Sequence, residues 1–165
     1  MLLLVVLFSL STYSCEKDEV KESTNTDLEN LYESNKEKIT ILQGISGTLI
    51  MKEGNCMPMI GTNSGTCRAF PIKRIIQIYE YTLLSDIEGY GPDYDTVHTN
   101  LIGETESDED GFFQFQLDAG KYSIFILENG KYYANGIDGD GVINPVQIIK
   151  DGITIQNQAI DYAVY

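Results

Sequence analysis

The stretch D-E-D-G-F-F-Q-F-Q-L-D-A-G-K-Y-S-I-F-I-L-E-N-G-K-Y-Y, Asp108 to Tyr133, decides the fold class. Asp108-Glu109-Asp110-Gly111 reads as a turn, because short carboxylates bond nearby backbone N–H groups and glycine takes the left-handed conformation. Phe113, Phe115 and Leu117 then alternate with Gln114 and Gln116. That period of 2 gives a strand with one buried and one wet face. Asp118 to Lys121 turns the chain again. Tyr122 to Leu127 is apolar on both faces, as a central strand is. Asn129-Gly130 is a tight hairpin signal leading into Lys131-Tyr132-Tyr133-Ala134.

The same rhythm extends outward in both directions. Upstream lie Ile45 to Met51, Ile72 to Thr82, a polar loop from Ser85 to Thr96, and a run near Val97 to Thr105. Downstream lie Val146 to Ile149 and Ile153 to Tyr162, with Gly152 in the turn between them. Short runs rich in β-branched and aromatic residues, punctuated by Gly, Asn and Asp, predict an all-β fold. The expectation is a single antiparallel β-sandwich of about seven to eight strands over residues 45–165. The chain has 165 residues, 42% of them hydrophobic, which suffices for one core and gives no sign of a second domain.

D-E-D-G, F-F-Q-F-Q-L and D-A-G-K-Y-S-I-F-I together are similar to the repeating unit of the carboxypeptidase regulatory-like domains. Gly47-Thr48-Leu49 resembles the start of their first strand. Gly54 to Pro58, Tyr133 to Asn135 and Asp140 to Pro145 resemble a Bacteroidetes lipoprotein subgroup of that class. The resemblance implies a small transthyretin-like sandwich that is appended to peptidases and is itself non-catalytic. A fold hosts many functions, so it gives little about activity.

Residues Met1 to Leu10 form an apolar run, M-L-L-L-V-V-L-F-S-L. A bilayer span needs about 20 apolar residues, so this run is too short and fits the core of a secretory signal. No Lys or Arg precedes it, and a buried N-terminal strand is the alternative. It ends S-T-Y-S-C, which resembles a lipoprotein signal covering residues 1–14, with Cys15 the acylated residue. Thr12 and Tyr13 depart from that pattern. Lys17, Asp18 and Glu19 resemble the surface-export signal of Bacteroidetes-type lipoproteins; the alternative is a solvated tail. Acyl chains on Cys15, at ~0.8 kcal/mol per buried methylene, hold a protein on a membrane without a spanning helix. The implied location is the outer membrane, with the domain at the cell surface.

Residues 15–44 read as the lipidated Cys and a polar linker. A capping-box pattern at Thr26 to Glu29, with Leu28, Leu31 and Tyr32 at helical spacing, allows a short helix near Thr26 to Lys36.

The chain carries 11 Lys plus Arg against 25 Asp plus Glu, a net charge of -14. Nucleic acid is therefore excluded as a partner, since phosphate contacts need clustered cations. Anionic lipid is not a target of the protein surface itself. No catalytic signature stands out. Cys56 and Cys67 are expected to pair in an exported protein; the alternatives are free thiols or a thiol activated by His98. Gly61 to Thr66 lacks the lysine of a phosphate loop.

Asp138 to Asn144 has the flavour of a calcium loop, with Asn135, Asp138, Asp140 and Asn144 as candidate ligands. Its first ligand and closing bidentate carboxylate would fall on Gly136 and Gln147, so a plain Asp/Gly turn is the preferred reading, with no cofactor. The acidic run Glu104 to Asp110 matches paired carboxylates of glycoside hydrolysis or, more simply, a charged strand edge. Tyr90, Tyr94, Tyr132 and Tyr133 are candidate ligand-binding aromatics for a glycan, although Trp, the usual platform, is missing. The expected function is a surface-anchored, non-catalytic structural or interaction module with a protein partner. Carbohydrate or peptide binding within an outer-membrane uptake system is the alternative.

Overall fold

The computed structural model describes residues 25–58 and 66–165. Two sheets, of 5 and 7 strands, pack face to face as a β-sandwich. The strands are β1 (Gly44–Glu53), β2 (Arg68–Pro71), β3 (Ile75–Glu80), β4 (Ile87–Tyr90), β5 (Asp93–Val97) and β6 (Leu101–Glu106). They continue as β7 (Phe112–Gln116), β8 (Gly120–Glu128), β9 (Lys131–Tyr133), β10 (Pro145–Ile148), β11 (Ile153–Ile155) and β12 (Gln158–Asp161). One helix, α1 (Asn25–Lys36), precedes them.

Strand β1 organises the smaller sheet. Its first half pairs antiparallel with β7 and parallel with β11; its second half pairs antiparallel with β2 and parallel with β12. The antiparallel sandwich expected from the sequence is what the chain forms, with two parallel pairings added on β1, to β11 and β12. Strand β1 and the last two strands share one sheet, with β11 and β12 running alongside β1. The 12 strands among the described residues exceed the expected number, because β2, β4 and β5 arise in segments read as loop or not singled out and the run Ile153 to Tyr162 divides into β11 and β12.

The larger sheet runs β4-β5-β9-β8-β3-β6, with β10 also on β8. Strand β8 is central, and its alternation divides the core. Ile124 and Ile126 face the smaller sheet and pack with Ile76, Ile78, Ile45, Leu49, Phe113 and Ile160. Phe125 faces the other way, into a second cluster with Tyr79, Tyr94, Ala134 and Ile143. A strand apolar on both faces is what such two-sided burial requires. The hairpin from β8 to β9 turns at Asn129 and Gly130, both with positive φ (51° and 77°), the left-handed pair that a two-residue turn needs.

The linker expected through residue 44 is shorter than the sequence suggested. Asn35 is buried, and its amide donates to Thr48 Oγ1 (2.9 Å) and to the Asp110 carbonyl (2.9 Å). Lys38 Nζ bonds Asp108 (2.9 Å) and Asp110 (2.7 Å). The Gln114 side chain accepts from Thr40 N–H (3.0 Å), and the Gln43 amide donates to the Leu117 carbonyl (2.8 Å). The folded unit therefore begins no later than α1. Leu28, Leu31 and Tyr32, whose spacing allowed the helix, are half-buried on α1, but the bonds that tie it and residues 38–43 to the sandwich come from polar side chains, which the hydrophobic period does not report.

Candidate functional site

The segment from Ala134 to Asn144 leaves β9 and folds across the end of the β4–β5 hairpin. Backbone bonds fix it there: Ala134 N–H to the Pro92 carbonyl (2.9 Å), Leu84 N–H to Gly141 (2.9 Å), Ile143 N–H to Thr82 (2.9 Å). A single 3-10 turn, Leu84–Asp86, and the cis Gly91-Pro92 bond complete the frame.

Between these pieces lies a cleft of about 420 Å³. Leu84, Pro92, Ala134 and Ile137 supply apolar walls, Tyr94 and Tyr133 close the floor, and Asn135 and Asp161 supply polar groups. Leu83, Leu84, Tyr90 and Ile137 are exposed large apolar side chains on the same loops. Exposed apolar groups gathered at a concave site mark a binding surface more often than a neutral one.

The electrostatics are one-sided. The Asp161 carboxylate accepts from Ala163 N–H (3.1 Å) and from the Tyr165 hydroxyl (2.8 Å), both neutral donors. The Tyr133 hydroxyl accepts from Asp161 N–H (2.7 Å). Burial first, and then the negative charges of Asp161 and Asp93, hold that hydroxyl above its ordinary range. Among the described residues no Lys, Arg or His lines the cleft.

The four candidate tyrosines separate. Tyr94 and Tyr133 both line the cleft, but at 3% and 1% exposure they offer it edges rather than open faces. Tyr132 points to the opposite side of β9 from Tyr133 and packs edge-on against Tyr79 and Phe125. Tyr90 stands 93% exposed in the hairpin turn. Adjacent strand residues face opposite ways, so Tyr132 and Tyr133 do not form one platform.

The candidate metal ligands separate in the same manner. Asp138 Oδ1 accepts from the N–H groups of Asp140 (3.0 Å) and Val142 (2.8 Å), closing a turn. Asn144 turns inward and donates to the Ile124 carbonyl (3.0 Å) and Gln158 (2.9 Å). Asn135 lines the cleft. Among the described residues no group of His, Cys, Asp or Glu is arranged to hold a metal ion.

The other candidates are engaged structurally. Cys56 and Cys67 form a disulfide between the end of β1 and the start of β2, which removes the reading of a thiol activated by His98. His98 pairs instead with Glu88 (3.0 Å) on the surface. In the acidic run, Lys38 takes Asp108 and Asp110, Lys73 takes Glu106 (3.3 Å) and Glu109 (3.8 Å), and Gln77 donates to Glu104 (3.1 Å). Burial works to raise the Asp108 carboxyl, but the Lys38 ammonium and the N–H groups of Phe112 and Asp110 outweigh it and hold it below the usual carboxylate range. Cys15, Lys17, Asp18, Glu19 and most of the Gly-rich loop lie outside the described residues.

No protein-family model, curated protein or solved structure matches the chain. The sequence reading missed Leu84, Ala134, Ile137 and Asp161, which come from three separate segments. The available signal was Ile137, an aliphatic residue stranded in a loop of Gly, Asn and Asp.

Proposed function

We propose that this protein is a surface-anchored, non-catalytic interaction module that engages a partner through the cleft between the cis-proline hairpin and the Ala134–Asn144 segment. The observation that carries this reading is the cleft itself: preformed by backbone hydrogen bonds and rimmed by the exposed side chains of Leu84 and Ile137. A monomer with no partner gains nothing by leaving such a patch wet. Anchoring through acylated Cys15, with export directed by Lys17, Asp18 and Glu19, rests on the resemblance of residues 1–19 to lipoprotein signals. Membership of the carboxypeptidase regulatory-like class rests likewise on the turn-strand-turn-strand unit from Asp108 to Ile126. The paired Cys56 and Cys67 and the surface pairing of His98 favour a binding role over nucleophilic catalysis.

The test uses intact cells. Cys15→Ala should move the protein from the membrane to the soluble fraction. Ile137→Glu should abolish the complex trapped by a surface cross-linker while leaving the melting temperature near that of the wild type. Retention of the Cys15→Ala protein on membranes would defeat the anchor, and an undiminished complex with Ile137→Glu would defeat the cleft.

A further inference from the structure

Resting on that reading of the cleft, we propose that its occupant is an extended polypeptide segment in which an aliphatic side chain lies next to a lysine or arginine. The apolar half of this specificity comes from Leu84, Pro92, Ala134 and Ile137, which form a pocket wide enough for an aliphatic side chain. The basic half comes from Asp161, which lines the cleft, with Asp93 outside the lining but paired across the strands with Tyr133. The carboxylate of Asp161 has only neutral donors, Ala163 N–H and the Tyr165 hydroxyl. Neither Asp161 nor Asp93 belongs to any ion pair among the described residues, although Lys131, Lys73 and Lys38 each neutralise carboxylates elsewhere. Both charges act on the Tyr133 hydroxyl at the cleft floor; Asp93 also acts on Lys131, whose ion pair is with Asp95, whereas Asp161 keeps neutral donors alone.

A wholly apolar ligand would cover the Asp161 carboxylate and strip its water without replacing it, which costs free energy. An anionic ligand would add like-charge repulsion in a partly dehydrated site. An ammonium or guanidinium removes both penalties. Asn135, at the cleft edge, carries a donor and an acceptor suited to a peptide group. A glycan is less well served, because Tyr94 and Tyr133 present no open ring face. Tyr90 alone is an unsupported platform.

The experiment titrates the full chain with short synthetic peptides alternating leucine with lysine, leucine with glutamate, or serine with lysine, and in parallel with neutral glucan oligosaccharides. The leucine–lysine peptide should bind best. Asp93→Asn with Asp161→Asn should weaken it about tenfold, and Ile137→Ser should weaken it comparably. Glu37→Gln with Asp118→Asn, which removes the same charge from exposed positions elsewhere, should leave it unchanged. The asparagine at 161 keeps an acceptor for Ala163 N–H, and Asp93→Asn alone serves if the double variant loses its fold. Equal weakening by the remote pair would overturn the proposal as mere attraction to an acidic surface. Tighter binding of the glutamate peptide or of the oligosaccharide, lost with Ile137→Ser, would overturn the occupant while keeping the cleft. If none of the probes responds to Ile137→Ser but the cell-surface complex does, the proposal fails and the functional reading stands; if neither responds, both fail.

Discussion

Replacing Gly111 with Ala should cost far more than replacing Gly141 with Ala, although the two glycines occupy equivalent places in twin turns. In each turn an aspartate Oδ1 accepts two N–H groups: Asp108 from Asp110 and Phe112 (both 2.9 Å), and Asp138 from Asp140 and Val142 (3.0 and 2.8 Å). Gly111 and Gly141 both bond back to the first aspartate's carbonyl, with φ of 73° and 83°. The backbone penalty for a Cβ at such φ is therefore shared, about 1–2 kcal/mol. The surroundings differ. A Cβ on Gly141 meets nothing within 4 Å, whereas one on Gly111 falls on the Leu49 carbonyl oxygen, well inside 3.0 Å. Relief requires β1 to retreat. That retreat breaks Leu49 N–H to the Gly111 carbonyl (2.8 Å) and strains Ile72 N–H to the Leu49 carbonyl (3.2 Å). At about 1 kcal/mol for each bond, Gly111→Ala should cost about 3–4 kcal/mol. A domain of ordinary stability, about 5–15 kcal/mol, survives both changes, so urea unfolding with a common m-value can rank them. Equal losses for the two variants would refute the packing of this turn against β1.

The remaining expectations concern the staples and the charges. Cys56→Ala with Cys67→Ala opens a loop of sequence separation 11, and chain entropy puts the loss at about 3 kcal/mol by denaturant titration; an unchanged midpoint would mean the bridge contributes nothing. The Asp108 carboxyl is held below its ordinary value of 3.8, so its stabilisation is present above that pH and is lost as pH falls through the depressed value. Lys38→Met should consequently raise the pH at which acid unfolding begins, followed by circular dichroism; no movement would contradict the bridge from Lys38 to Asp108 and Asp110. Millimolar calcium should leave the melting temperature unchanged, since Asp138 Oδ1 already accepts two N–H groups; a rise of several degrees would assign the loop to a cation.

Much of the sandwich was legible because its strands obey period 2. Phe113 and Leu117 are buried while Gln116 is exposed, and Ile124 and Phe125 are buried on opposite faces, as their pattern required. The hairpin β4–β5 was not legible. Its register shifts between Glu88 and Gly89, which breaks the alternation, and its apolar residues Ile87, Tyr94 and Val97 are isolated among polar ones. The parallel pairing of β1 with β12 joins Leu49 to Gln158, and no local signal reports a contact so distant in sequence. Docking of α1 depends on Asn35, a residue that sequence patterns assign to solvent. The cleft was half legible: Tyr94 and Tyr133 were singled out by residue type, yet the opposing wall at Ile137 belongs to a segment read for metal ligands. The separation of Tyr132 from Tyr133 followed from strand geometry once β9 was recognised.

The most direct test places a photoactivatable cross-linker at single positions of the protein on living cells. Substituted for Ile137 on the cleft rim, it should yield a discrete protein adduct on illumination. Substituted for Ile102, also exposed and on the edge strand β6, it should yield none. An adduct at Ile102 with none at Ile137 would contradict the assignment of the cleft as the surface through which this protein works.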